Sequence, residues 1–179
     1  MPRLIAFLRA INVGGHTVTM EALRSHFSAM GFKAVETFIA SGNVIFETAS
    51  KDLGVLEKNI EKQLHQALGF EVKTFLRTPE EVAAIAKYQA FKKAAVESAG
   101  AYCVGFLSAP LSQEQEKTLM ELKTDVDDFH VHGREIYWLC KVKQSDSKFS
   151  NARMEKKIKT AATFRGVNTI SRLAAKLGE

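Results

Sequence analysis

The chain has 179 residues, of which 46% are hydrophobic and 25% charged, with a formal net charge of +5. That balance excludes a disordered or collagenous polymer, and the length accommodates one large core or two small ones. No apolar run approaches the roughly 20 residues that cross a bilayer, and the opening stretch is too short in its apolar part for a secretory signal, so a cytoplasmic protein without a membrane partner is expected.

The first apolar segment, Leu4 to Leu8, is continuous rather than alternating and reads as a strand buried on both faces. Loop chemistry follows in Asn12-Val13-Gly14-Gly15-His16-Thr17, and Met20, Leu23, Phe27 and Met30 then recur at helical spacing until Gly31. Val35 to Ile39 and Val44 to Phe46 flank Ser41-Gly42-Asn43, which is the signal of a hairpin. A helical stripe of Leu53, Leu56, Ile60, Leu64 and Leu68 closes at Gly69, and Val72 to Leu76 is the next strand. The order βαββαβ is the split βαβ, or ferredoxin-like, arrangement, and right-handed crossovers place its strands in the spatial order 4-1-3-2.

Thr78-Pro79-Glu80-Glu81 carries a cap, a Pro at the first helical position and a Glu three residues after the cap, so a helix starts there and includes Val82 and Ile85. Tyr88 to Gly100 reads as a connector. The pattern then restarts: Tyr102 to Leu107 is a strand, and Ser112 with Gln115 forms a capping box ahead of Leu119 and Leu122. Val126 to Val131 and Ile136 to Cys140 flank His132-Gly133-Arg134-Glu135 as a second hairpin. Met154 and Ile158 mark a helix from about Ser150 to Lys159, and a short strand near Ala162 to Arg165 precedes a terminal helix that Asn168 is placed to cap. Setting Ile5 against Cys103 and Asn43 against Arg134 gives offsets of 98 and 91 residues between halves that share the βαββα pattern. The expectation is therefore an α+β fold of duplicated ferredoxin-like repeats with mainly antiparallel sheets and a C-terminal helix. Residues 1–78 form the first repeat, 79–100 a linker helix and connector, and 101–179 the second repeat. Both central strands are apolar on both faces, so the second repeat, the linker helix or another subunit must cover the sheets.

In a 4-1-3-2 sheet the end of strand one lies beside the start of strand three, so Arg9 and Asn12 approach Ser41, Gly42 and Asn43. With the Gly14-Gly15 backbone ahead of a helix N-terminus, this edge suits a phosphate or carboxylate. Each residue also has a structural use: Gly14-Gly15 turns the chain, Asn43 takes a positive-φ hairpin position and Arg9 pairs with an acid. Neither GxxxxGK[ST] nor GxGxxG is present.

Leu8-Arg9-Ala10-Ile11-Asn12-Val13-Gly14-Gly15, Ser41-Gly42-Asn43-Val44-Ile45-Phe46, Ser147-Lys148-Phe149 and Thr163-Phe164-Arg165-Gly166-Val167-Asn168-Thr169 carry a resemblance. In this order they resemble the bacterial domain-of-unknown-function family 1697. The resemblance implies an α+β fold of this size and no settled activity. Ala10 stands where the family's LRGINVGG motif has Gly, and Gly166-Val167 where its TRNWNT motif has Asn-Trp, whereas Arg9, Asn12, Gly14, Gly15, Ser41, Gly42, Asn43, Arg165 and Asn168 match.

Charge is concentrated late in the chain. Lys141 to Arg172 holds nine basic residues against two acids, among them Lys148 and Arg165, which with Asn168 are candidate contacts for an anion or nucleic acid. His130 and His132 alternate on a strand and face one way, where Asp125 or Asp127 could join them around a metal; no third ligand is specified, so neither a metal nor a cofactor is assigned. The two cysteines, Cys103 and Cys140, read as neighbouring free thiols. Ser41 lacks a GxSxG elbow, and His16 has no evident orienting acid, so catalytic residues remain unassigned. Three functions follow in order: small-anion binding at the first edge, nucleic-acid binding by the basic segment, and a non-catalytic scaffold.

Overall fold

A computed structural model describes residues 1–9, 17–39 and 42–178. They divide into two units, Met1–Ala83 with Lys176–Glu179, and Ala84–Ala175. Each unit is built on a four-stranded antiparallel sheet in the ferredoxin-like order.

In the first unit the chain runs β1 (Arg3–Leu8), α1 (Met20–Ala29), β2 (Lys33–Thr37), β3 (Asn43–Glu47), α2 (Leu53–Leu68) and β4 (Thr74–Arg77), and the sheet order is β2-β3-β1-β4. Side-chain alternation sends Leu4, Ala6, Leu8, Val44 and Phe46 toward Leu23, Phe27, Leu56, Ile60 and Leu64 of the helices. The opposite set, Ile5, Phe7, Ile45 and Phe75, is also at most 1% exposed, which is why these strands read as unbroken apolar runs. Thr19 Oγ1 accepts from Ala22 N at 3.0 Å and Asp52 Oδ1 from Val55 N at 3.1 Å, caps worth about 1 kcal/mol each.

β2 lies two residues earlier than Val35 to Ile39. Ala34, at φ 49°, sits in the interruption of pairing between Lys33 and Glu36, and Ile39, at φ 50°, follows the strand in a left-handed conformation. β4 is likewise displaced from Val72 to Leu76 and ends on Arg77.

A helix, α3 (Pro79–Lys87), bridges the partition between the units. Its predicted start is reciprocal: Thr78 N donates to Glu81 Oε1 at 3.0 Å and Glu81 N to Thr78 Oγ1 at 3.1 Å. The connector holds a short helix, α4 (Lys93–Glu97).

The second unit repeats the plan with β5 (Ala101–Phe106), α5 (Gln113–Met120), β6 (Asp127–His132), β7 (Glu135–Cys140), α6 (Asn151–Ile158), β8 (Thr163–Gly166) and α7 (Val167–Leu177), whose last residues belong with the first unit. Its sheet order is β6-β7-β5-β8. Cys103, Leu107, Ile136, Trp138 and Cys140 meet Leu119, Met154 and Ile158. On the opposite face, Tyr88 and Phe91 of the connector stack against His132, His130, Tyr102 and Tyr137, so the connector covers part of the second sheet.

Two expectations are corrected here. The repeat offset slips by one residue, because Leu8 N donates to Gly42 O and Leu107 N to Arg134 O, making Asn43 the counterpart of Glu135 rather than Arg134. Ile5 then matches Val104, not Cys103, as the shared face requires. Asn168 does not cap the terminal helix either: α7 begins at Val167, directly after β8, so Asn168 lies inside its first turn.

Candidate functional site

The end of β1 and the first hairpin are joined by backbone. Leu8 N donates to Gly42 O at 2.9 Å, and Phe7 pairs with Asn43. Gly42 adopts φ +82°, a left-handed conformation that any Cβ would disfavour, so the positive-φ position of this hairpin belongs to Gly42 and not to Asn43. Asn43 is 1% exposed; its Nδ2 donates to Phe38 O at 3.0 Å while its own carbonyl accepts from Phe38 N at 3.0 Å. Its amide therefore holds the turn in shape. Half-buried Arg9 follows β1 directly, and its backbone N–H donates to Lys73 O at 2.9 Å. The rim thereby gains a cation that sequence reasoning missed, Lys73, whose Nζ lies 3.6 Å from Glu61 Oε1. The register of β4 against β1 was the signal that could have found it. Asn12, Gly14, Gly15 and Ser41, and also His16, lie outside the described residues.

The later candidates fall in different settings. Lys148 and Asn168 are solvent-exposed. Arg165 is turned inward: one guanidinium nitrogen donates to Thr163 Oγ1 at 2.8 Å and Phe164 O at 3.0 Å, and burial lowers its pKa to about 10. Ser147 and Phe149 serve structure. Ser147 Oγ donates to Asp127 at 2.7 Å and accepts from Phe149 N at 3.0 Å, while the Phe149 ring packs 4.7 Å from Trp138 and 5.2 Å from Phe129.

Asp127 itself is 2% exposed and takes the Trp138 indole N–H at 2.9 Å and the Thr124 hydroxyl at 3.1 Å besides Ser147. It points to the helix-covered face of β6, whereas His130 and His132 point to the other, so Asp127 cannot join the two histidines as a ligand. A single ring engages both histidines instead: Tyr88 Oη lies 2.7 Å from His130 Nε2, and Tyr88 stacks on His132 at 3.9 Å.

Cys103 pairs with Trp138 and Cys140 with Ala101, which makes the cysteines diagonal neighbours on one face. Burial, reinforced by Cys140, pushes the Cys103 thiol up to about 11, and burial raises Cys140 as well. Both are thereby held as thiols, unsuited to nucleophilic work at neutral pH.

A family model described as Protein of unknown function (DUF1697) matches residues 1–137, more than half of the chain. A solved structure titled as that of a conserved bacterial protein from Streptococcus pneumoniae superposes with a TM-score of 0.73 at 22% identity, covering 100% of this chain and 99% of that one. At that identity the likeness concerns the fold. No curated protein matches the chain at a significant level. Among the described residues, no helix is long and apolar enough to cross a membrane.

Proposed function

We propose that this chain, which belongs to the DUF1697 family of proteins of unknown function, binds a small anionic ligand at the rim between the residues after β1 and the first hairpin. The observation that supports this reading is the pair of backbone bonds, Leu8 N to Gly42 O and Arg9 N to Lys73 O, which carry the cationic residues Arg9 and Lys73 to one edge of the first sheet. A guanidinium gives an anion two parallel donors, and an ammonium adds a compact charge. To the same proposed site the sequence assigns Asn12, Gly14, Gly15 and Ser41, which offer an amide, a hydroxyl and glycine N–H groups, and Gly42 and Asn43 belong to the hairpin beside it. The two buried thiols fit a reducing, cytoplasmic setting.

Thermal shift tests the reading, with inorganic phosphate, pyrophosphate and citrate against a neutral sugar. A ligand at about one hundred times its Kd stabilises the folded state by about 2.7 kcal/mol, a rise of roughly 5–10 °C for a chain of this size. The expected result is a rise with at least one anion that Arg9→Ala and Lys73→Ala each reduce. No rise with any anion, or rises that both variants retain in full, would overturn it.

A second reading, nucleic-acid binding, is supported by the exposure of Lys148 together with Arg153, Lys156 and Lys157 of α6. Four phosphate contacts require log K to fall against log salt with a slope of about −3, so an oligonucleotide titration at several salt concentrations separates the two readings.

A further inference from the structure

A cleft of about 440 Å³ lies in the second unit, where the connector, the start of β6 and the end of β7 meet. That volume falls within the range of small-molecule sites. Its apolar lining comes from Phe91, Ala95, Val126 and Leu139. Phe91 is held edge-on against Tyr102, with centroids 5.9 Å apart at 77°, and against His130 at 6.4 Å and 69°, so its ring is a fixed wall. Leu139, 5% exposed, belongs to the sheet face on which the connector lies.

Three lysines also line the cleft: Lys92, Lys123 and Lys141. Lys123 pairs with Asp128 at 3.4 Å, and the Asp127 carboxylate is occupied by Trp138, Ser147 and Thr124. Lys92 and Lys141 are both exposed, and Asp125 is the remaining acid of the lining. An apolar cavity with a rigid aromatic wall and a cationic margin is complementary to one chemistry.

We propose that this cleft binds a small aromatic carboxylate, its ring seated between Phe91 and Leu139 and its carboxylate on Lys92 and Lys141. The site is separate from the rim of the first sheet and does not depend on it. The ring displaces water from apolar surface, and the lysines select the anion over a neutral analogue of the same shape.

The test titrates the full chain with 2-naphthoate and, in parallel, with uncharged 2-naphthalenemethanol, following binding by calorimetry and by amide chemical shifts. A Kd of about 1 mM or tighter is expected for a fragment of that size. Ala95→Trp, which fills the cleft from an exposed helical position, is expected to weaken both compounds at least tenfold. The double substitution Lys92→Glu with Lys141→Glu is expected to weaken 2-naphthoate at least tenfold and leave the neutral analogue unchanged. The same charge change on α2, Lys58→Glu with Lys62→Glu, controls for bulk electrostatics and is expected to alter neither. Absence of saturable binding at about 10 mM, undiminished binding to Ala95→Trp, or equal affinity for the two compounds would overturn the proposal. Should Ala95→Trp fail to fold, judged by circular dichroism, the charge-reversal pair carries the test.

Discussion

In the first unit Leu8 N donates to Gly42 O where the opening strand meets the hairpin; in the second, Leu107 N donates to Arg134 O at the same 2.9 Å. The corners share this backbone bond and differ in the residues around it. One has its guanidinium directly after the opening strand and the left-handed Gly42 as the hydrogen-bonding hairpin residue, while the other has Arg134 in that hairpin position, with the left-handed glycine, Gly133, one residue earlier. Beneath them the first corner buries the amide of Asn43 and the second the carboxylate of Glu135. Alternating apolar parity is enough to repeat the fold, but the residues at the corners are set independently, so a ligand site built at one is not inherited by the other.

The sharpest way to press on this difference is the polar hub of the second unit. Asp127→Ala leaves the Trp138 indole and the Ser147 hydroxyl without their acceptor inside the protein, and about 3 kcal/mol of stability should be lost in urea unfolding. A loss below about 1 kcal/mol would mean that the hub does not hold the loop after β7 to the sheet.

The second lever is alkaline pH. The folded Cys103 keeps its proton up to about 11, whereas its ordinary value is 9.0. Between those values the folded state binds more protons than the unfolded chain. Stability from this group is therefore complete below pH 9 and is lost as pH rises through 11, by about 3 kcal/mol. Cys103→Ala should flatten that part of the urea-midpoint profile by the same amount. An unchanged slope would assign the fall to Cys140, half-buried Tyr102 and buried Tyr137, which desolvation raises in the same direction.

A swap tests the corners themselves. Gly42→Arg copies the side chain of the second corner into the first, where φ +82° opposes any Cβ, and should cost about 1 kcal/mol or more. An arginine tolerated without cost would mean that the left-handed turn at Gly42 is not what separates the two corners.

Much of this architecture was legible because its signals are local. The stripe from Leu53 to Leu68 with Gly69 behind it, the reciprocal Thr78 and Glu81 cap, and the continuous runs in β1 and β7 each determine their own element. What was missed depends on partners distant in sequence. The left-handed residues Ala34 and Ile39 displace β2 without any glycine to announce them. Lys73 reaches the rim through antiparallel register alone. Ser147 meets Asp127 across 20 residues, a bond that no local pattern announces. Arg165 reads as a surface cation until its strand position turns it inward.

The smallest effect concerns the last turn of α7, which belongs with the first unit although most of the helix belongs with the second. Two contacts hold it there: Arg3 donates to Leu177 O at 2.6 Å, and Lys176 lies 3.6 Å from Glu36 Oε1. The first joins a charged donor to an otherwise unsatisfied helix-end carbonyl and should contribute about 1 kcal/mol. The second links side chains that are 34% and 45% exposed, where water and salt screen the attraction. Lys176→Ala should therefore change stability by no more than about 0.5 kcal/mol and lose even that at high salt, while Arg3→Ala should retain its cost. A reversal of that order would mean that charge pairing, rather than satisfaction of the helix end, returns the chain to its first sheet.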